Sequence, residues 1–363
     1  MDVIESGHAA RVSAYAAVGS RLSLLSDRRL GAAVSSAPGL GRGIGGRAAE
    51  LDVEGMRVFV KRVPLTDIEL RPEHVRSTAN VFGLPLFYQY GVGSTGFGAW
   101  RELAAHIMTT GWALKNEYAG FPLLYHWRVL PDSPPAGFVD GFGGVEGAVA
   151  HWEGSSAVRR RLEAIGSSSF SLVLFLEHVP QTLAEWLVDS RDAAPRQSGG
   201  ESPYPWVENA LSRGTEFMSA RGLVHFDAHF ANLLTDGQRV YFADFGLALS
   251  RDFELSSEER DFLDDHLVYD RSYAPNHLLR HHLPPDVRGG TEHGAFLREW
   301  VDGCQPADIA PDIGAIIDRH APHAIVLDDF HHRLLTQSKR TPFPAAEVKR
   351  ALAGGPGEQG SSL

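Results

Sequence analysis

The sequence predicts an α+β protein with two lobes, the first carrying a small sheet and the second mostly helical. Three observations carry this reading. At 363 residues the chain exceeds the size at which one compact core is the default. Strand signals concentrate in the first half, as period-two alternation on both sides of Glu54-Gly55 and as the continuous apolar run Leu172 to Leu176. Helical stripes dominate from Trp206 onward. These patterns place an N-terminal helix at 1–28, a first lobe at 29–179 with an insertion at 131–169, a helical second lobe at 180–353 and a disordered tail at 354–363.

Composition narrows the class. Hydrophobic residues at 43% and charged residues at 22% are ordinary for a globular chain. A formal charge of -11 argues against a nucleic-acid or membrane-surface binder, because such surfaces need clustered Lys and Arg. The single cysteine, Cys304, excludes an internal disulfide and a multi-cysteine metal site and fits a reducing cytoplasm. The N-terminus lacks the order of a signal peptide, and no apolar run approaches the ~20 residues that span a bilayer. A soluble cytoplasmic protein is expected.

Taken in order, residues 9–25 carry an imperfect helical stripe of Val12, Tyr15, Ala16, Leu22 and Leu25. Gly41-x-Gly43-x-x-Gly46 follows, and on its own such a match is weak. A dinucleotide-binding fold would need a sustained helix after it and an acidic residue about 20 positions on. Asp67 has that distance, but Gly55 interrupts the helix and the segment alternates as strands. The alternative is a hairpin: Ala48 to Val53, a turn at Glu54-Gly55, then Met56, Val58 and Val60 alternating with Arg57, Phe59 and Lys61. A lysine at a strand end is ordinarily a surface residue, and only its place after the glycines singles out Lys61.

Pro64 to Gly98 is irregular. Trp100, Leu103, Ala104, Ile107 and Met108 then make a helical stripe that includes Glu102. Phe121 to Leu130 predicts a strand, and Ala157 to Ile165 a short helix whose Arg159-Arg160-Arg161 run is expected on a solvated face. Ser171 to Glu177 is a buried strand leading through His178-Val179-Pro180 into a helix. Ser190 to Pro205 is a polar loop expected to be mobile, and Trp206 to Ala220 is a helix stopped by Gly222. Ser256 to Leu283 is helical in pattern. The C-terminal third is histidine-rich but completes no zinc motif, so its histidines are expected in the core and on the surface.

The most chemically loaded stretch is 222–249. Asp227, Asn232 and Asp244 are oxygen donors separated by five and twelve positions, with the turn dipeptide Asp236-Gly237 between the last two. The pattern reads as loop, strand, tight turn, strand, loop, in which Asn232 and Asp244 leave the same end of a ribbon as two hard oxygen ligands suited to Mg²⁺. Asp236 is read as an ordinary turn residue.

His225-Phe226-Asp227 with Asn232, followed by Asp244-Phe245-Gly246, resembles the catalytic and metal-binding loops of the protein-kinase-like phosphotransferases. His229, two residues after Asp227, resembles the aminoglycoside and choline phosphotransferases, whereas Asp244-Phe245-Gly246-Leu247-Ala248 resembles protein kinases. The resemblance implies a bilobal protein-kinase-like fold, ATP and Mg²⁺. It implies that Gly41, Gly43 and Gly46 cover the phosphates, that Lys61 holds the inner phosphates, that Glu102 aims Lys61, and that backbone near Glu177 and Val179 meets the adenine. Asn232 and Asp244 become the metal ligands, Asp227 the group that orients or deprotonates a hydroxyl, His229 a partner of the γ-phosphate or of Asp227, and His225 a brace.

Two departures stand out. About 40 residues separate Lys61 from Glu102, more than in typical kinases, and helix-like sequence fills the place of a substrate-binding activation segment around Ala274-Pro275-Asn276. The expected function is transfer of the γ-phosphoryl group of ATP to a hydroxyl, with Ser or Thr of a protein or peptide slightly ahead, as in atypical bacterial kinases that phosphorylate peptides before elimination. The alternatives are a small-molecule alcohol as acceptor, and a nucleotide-binding pseudokinase that binds a partner protein.

Overall fold

The computed structural model describes residues 3–43, 46–193 and 202–354. Its elements up to residue 177 are α1 (Val3–Ser23), α2 (Asp27–Ser36), β1 (Gly39–Gly43), β2 (Gly46–Val53), β3 (Met56–Leu65), α3 (Ala99–Leu114), β4 (Leu124–Pro131), α4 (Val145–His151), α5 (Ser156–Gly166) and β5 (Phe170–Glu177). Next come β6 (Gln181–Thr182), α6 (Leu183–Ala193), α7 (Pro203–Ala220), β7 (Leu223–Val224), β8 (Leu233–Thr235), β9 (Val240–Phe242) and β10 (Leu249–Ser250). The last five are α8 (Ser257–His266), α9 (Tyr269–His281), α10 (His293–Val301), α11 (Pro311–Thr336) and α12 (Ala345–Ala353). The class is α+β. Among the described residues no helix is long and apolar enough to cross a membrane.

The chain divides into two compact units, one of Met1–Val179 with Ala243–Glu259 and one of Pro180–Phe242 with Arg260–Leu363. The sequence reading puts 243–259 in the second lobe. In the structure this segment is bonded to residues 77–101 of the first unit, so it clusters there.

The first unit is built on an antiparallel five-stranded sheet of order β1-β2-β3-β5-β4. Glu54 (φ 55°) and Gly55 (φ 83°) both take positive φ at the β2–β3 turn, the conformation of the tight turns whose twist matches the flanking strands. Alternation along β3 and β5 sends Val58, Val60, Val173 and Phe175 to one face, where Val18 and Leu22 of α1 and Leu30 and Val34 of α2 cover them. Val63, Leu65, Leu172, Leu174 and Leu176 face the other way, against Ala99, Trp100 and Leu103 of α3. Buried on both faces, β5 needs the unbroken apolar run that the sequence shows.

In the first unit two helices escape the sequence reading. α2 starts at a Ser26 cap whose side chain accepts from the Arg29 N–H, and α4 is a single short helix inside the 131–169 insertion. The arginine run on α5 is not uniformly solvated. Arg159 is half-buried and pairs with Glu146, Arg160 is exposed, but Arg161 is buried and donates to Glu69 at 2.8 Å, with its guanidinium over the Phe82 ring. Of the 190–205 loop, residues 194–201 lie outside the described residues, while 190–193 end α6 and 203–205 begin α7. Residues 355–363 of the expected tail also lie outside them.

The second unit is mostly helical, α11 packing on α7, α9, α10 and α12, beside a small sheet of order β6-β8-β9. Ala274-Pro275-Asn276 sits inside α9 and closes no loop. The histidines are largely interior. Burial holds His266, His277 and His323 down to about 3, and His293 and His331 down to about 4. The folded state therefore refuses protons that an unfolded chain accepts below about pH 6.5.

Burial acts oppositely on Asp270, raising it to about 7, so this one group favours the folded state as pH falls. Burial raises Glu102 in the same direction, and five histidines against these two carboxyls fix the sign. Thermal unfolding followed from pH 7 to pH 5 is expected to show a falling Tm with net proton uptake on unfolding. A flat or rising Tm over that interval would contradict the neutral-histidine core.

Candidate functional site

In the first unit the glycines form the tip of a hairpin. β1 and β2 pair in antiparallel register through Gly41↔Ala48 and Gly43↔Gly46, and Ile44 and Gly45 lie outside the described residues. β3 follows, placing Lys61 opposite Ala48 on one side and Leu174 on the other. Its ammonium lies 2.7 Å from Glu102 Oε1 and 2.7 Å from Asp244 Oδ1.

Neither Lys61 nor Glu102 is the exposed residue that its type ordinarily is, their accessibilities being 8% and 2%, whereas the Asp244 side chain is 40% exposed. Burial works against the Lys61 charge, but the Asp244 and Glu102 carboxylates outweigh it and hold the ammonium above its ordinary value. Glu69 seats the helix that brings Glu102 there: its Oε1 accepts from the Ala99 N–H at 2.8 Å, and its carbonyl accepts from Trp100 Nε1 at 2.9 Å.

Asp244-Phe245-Gly246 divides its three residues sharply. Phe245 is fully buried against His106 and Phe121. Asp244 takes φ 61°, a left-handed conformation that costs energy for a residue with a side chain and turns its carboxylate back toward Lys61. A Cβ at Gly246 would lie 3.3 Å from Asp244 Oδ1, so the Asp244 carboxylate would have to give by a few tenths of an ångström.

At the end of β5 the Glu177 side chain is engaged. Arg11 of α1 reaches both its oxygens, at 2.8 and 2.6 Å, and also donates to the carbonyls of Ala119 and Phe121. The Glu177 carboxylate accepts from the Leu123 N–H as well, at 3.0 Å. Val179 lies two residues past the strand. Sequence reasoning passed over Arg11; a basic residue within the apolar stripe of α1 was the available signal.

In the second unit Asp227 stands in a loop fixed by its own backbone. Asn232 Nδ2 donates to the Asp227 carbonyl and to Asp227 Oδ2, both at 3.0 Å. The His229 N–H donates to the Asp227 carbonyl at 2.8 Å, and the Asn232 N–H to the His229 carbonyl at 2.8 Å. His229 Nε2 lies 3.7 Å from Asp227 Oδ2, and His225 Nδ1 accepts from the Asp227 N–H at 3.3 Å. The hairpin of β8 and β9 follows, and Asp236 caps its own turn by accepting from the N–H groups of Gln238 and Arg239.

A further residue completes this loop. Asp270 of α9, fully buried, accepts from the His225 N–H at 2.6 Å and the Phe226 N–H at 3.0 Å. Between them Phe226 takes φ 64°, an outlier for a bulky residue, with its ring packed on Phe262, His266 and Tyr269. Nothing in the local sequence around Asp270 points to this task; its partners lie 44 and 45 residues upstream.

A scan of the chain against models of known protein families gives no match, and neither does a comparison with curated protein sequences.

Asp270→Ala leaves two buried backbone N–H groups without their acceptor, at about 1–3 kcal/mol each. Urea unfolding is expected to show a loss of at least about 2 kcal/mol. A loss under about 0.5 kcal/mol would mean that the loop does not depend on Asp270.

Proposed function

We propose that this protein transfers the γ-phosphoryl group of ATP to a hydroxyl, and that it does so in the cytoplasm. The observation that carries the reading is the Lys61 ammonium held between Glu102 and Asp244. Burial pushes the Glu102 carboxyl up, whereas Asp244 is the partly exposed partner of the ammonium and so the carboxylate open to a hard cation. That donor chemistry fits Mg²⁺, and the carboxamide oxygen of Asn232 is a donor of the same hard class. When bound, Mg²⁺ neutralises charge on the phosphate oxygens.

The roles of the chain's own groups follow from their chemistry. Lys61, kept charged and aimed by Glu102, binds the inner phosphates of ATP, while Gly41, Gly43 and Gly46 let backbone N–H groups approach phosphate oxygens without a Cβ in the way. Backbone near Glu177 and Val179 is assigned to the adenine. Asp227, oriented by Asn232 Nδ2, accepts the acceptor's proton as its oxygen bonds to the γ-phosphorus and the bond to the bridging oxygen breaks, releasing ADP. His229 serves as a hydrogen-bond partner to Asp227 or to the transferred group. This arrangement supports a bilobal protein-kinase-like reading of the fold.

Ser or Thr of a peptide or protein is the first acceptor class, on the strength of the glycine hairpin and Asp244-Phe245-Gly246. A small-molecule alcohol is the second, favoured by the helical setting of Ala274-Pro275-Asn276, which builds no segment for a peptide to lie on. The presence of Lys61, Asp227, Asn232 and Asp244 together weighs against a partner-binding pseudokinase, which has no chemical need of them.

Wild-type protein incubated with labelled Mg-ATP and a panel of peptides, proteins and alcohols is expected to release ADP and label one acceptor class. Asp227→Asn is expected to lower turnover by ~10²-fold to 10⁴-fold, and Lys61→Ala to abolish saturable use of ATP. Wild-type-like turnover in either variant removes that residue from the scheme; nucleotide-dependent stabilisation without ADP release supports the pseudokinase.

A further inference from the structure

Glu102 and its neighbour Arg101 are both buried on α3, yet they face different partners. Glu102 meets Lys61. Arg101 donates from Nη2 to Glu259 Oε1 at 2.5 Å and from Nε to the Thr78 carbonyl at 2.7 Å, its guanidinium lying over the Phe97 and Phe253 rings. Arg101 is 2% exposed and Glu259 3%, and Arg101 Nη1 is buried without a hydrogen-bond partner. The guanidinium thus depends on Glu259 for its counter-charge.

Glu259 has a second task. Its other oxygen accepts from the Ser256 N–H at 3.0 Å while Ser256 Oγ accepts from the Glu259 N–H at 3.1 Å, a capping box at the start of α8. The segment between Asp244 and Glu259 is tied at further points. Gln89 Nε2 donates to the Leu247 carbonyl, Ser77 Oγ to the Glu254 carboxylate, and the Glu254 N–H to Thr78 Oγ1 at 2.8 Å. At Gly96, φ 73°, a Cβ would lie 2.3 Å from the Gly246 carbonyl oxygen.

Two adjacent residues on one helix, each locked to a different charged partner, fix that helix's roll. We propose that Arg101 and Glu259 are a positioning pair that ties α3, and through Glu102 the seat of Lys61, to the segment following Asp244. The Lys61, Glu102 and Asp244 cluster is thereby assembled in the resting chain and does not wait on ordering of residues 247–256. The coupling stands on this geometry alone; its consequence for ATP use rests on the phosphotransferase reading.

Amide hydrogen exchange on full-length Glu259→Gln tests the coupling without any nucleotide. Exchange at residues 99–106 and at 246–256 is expected to rise together, each by about tenfold or more. Glu259→Asp, which keeps the charge and shortens its reach, is expected to give the same pattern more weakly and serves if Glu259→Gln does not fold. Ser256→Ala removes the cap but leaves Arg101 paired, and is expected to loosen only 254–260.

Unchanged protection of 99–106 in the Glu259 variants, or its loss in Ser256→Ala to the same degree, overturns the proposal. In the Mg-ATP assay Glu259→Asp is expected to lower kcat/KM about tenfold, while Ser256→Ala, at an equal or greater loss of Tm, keeps it. Wild-type-like kcat/KM in Glu259→Asp overturns the functional half. Absence of turnover in the wild-type chain counts against the phosphotransferase reading, and the exchange result still decides the coupling.

Discussion

The Lys61 ammonium, buried between a buried glutamate and a partly exposed aspartate, is the interaction around which the first unit is organised. Its three members come from a strand, a helix and a loop distant in sequence, so each element must be seated independently for them to meet. The sheet seats Lys61 through its register with β2 and β5. Glu69 and Arg101 seat α3, and the left-handed backbone at Asp244 turns the third member inward. A buried ion pair of this kind adds little net stability, because desolvation consumes most of the Coulombic gain. Stability therefore does not account for the cluster, which is why the proposed function is drawn from it.

The second unit solves a different problem: holding one carboxylate, Asp227, in a defined place on irregular backbone. It does so by satisfying the loop internally and by lending it one buried acceptor, Asp270, from a helix beneath. The same acceptor stabilises the strained turn at Phe226, whose ring joins the aromatic and imidazole core. Burial keeps the histidines His266, His277 and His323 of the second unit uncharged, so these imidazoles add no positive charge to its interior.

Elements whose signal is local could be read from the chain. The β2–β3 hairpin was visible because alternation and the Glu54-Gly55 turn agree, and β5 because a strand covered on both faces has no polar positions. The hairpin carrying Asp236-Gly237 was visible for the same reason as the first. Lys61 and Glu102 could be paired only through a family resemblance, since about 40 residues of irregular chain hide the contact. Other partners of buried charges were barely legible: the basic residue in the α1 stripe is the one hint of Arg11, Arg161 looks like one of three solvated arginines, and Asp270 resembles any helix aspartate. Charge pairing over long separations leaves no periodicity to detect. The helix α4 fails for another reason, being too brief to establish a stripe, and α2 offers only Leu30 and Val34 as buried positions.

The central claim, that Lys61 lies against the phosphates of bound ATP, has a direct chemical test. An ATP acyl phosphate transfers its acyl group to whichever lysine amine stands beside the phosphates, and mass spectrometry locates the adduct. The account predicts one dominant adduct, at Lys61, suppressed by excess Mg-ATP, with the exposed Lys115 and Lys349 labelled slowly and without competition. Labelling spread over Lys115 and Lys349, with none at Lys61 that Mg-ATP suppresses, would contradict it.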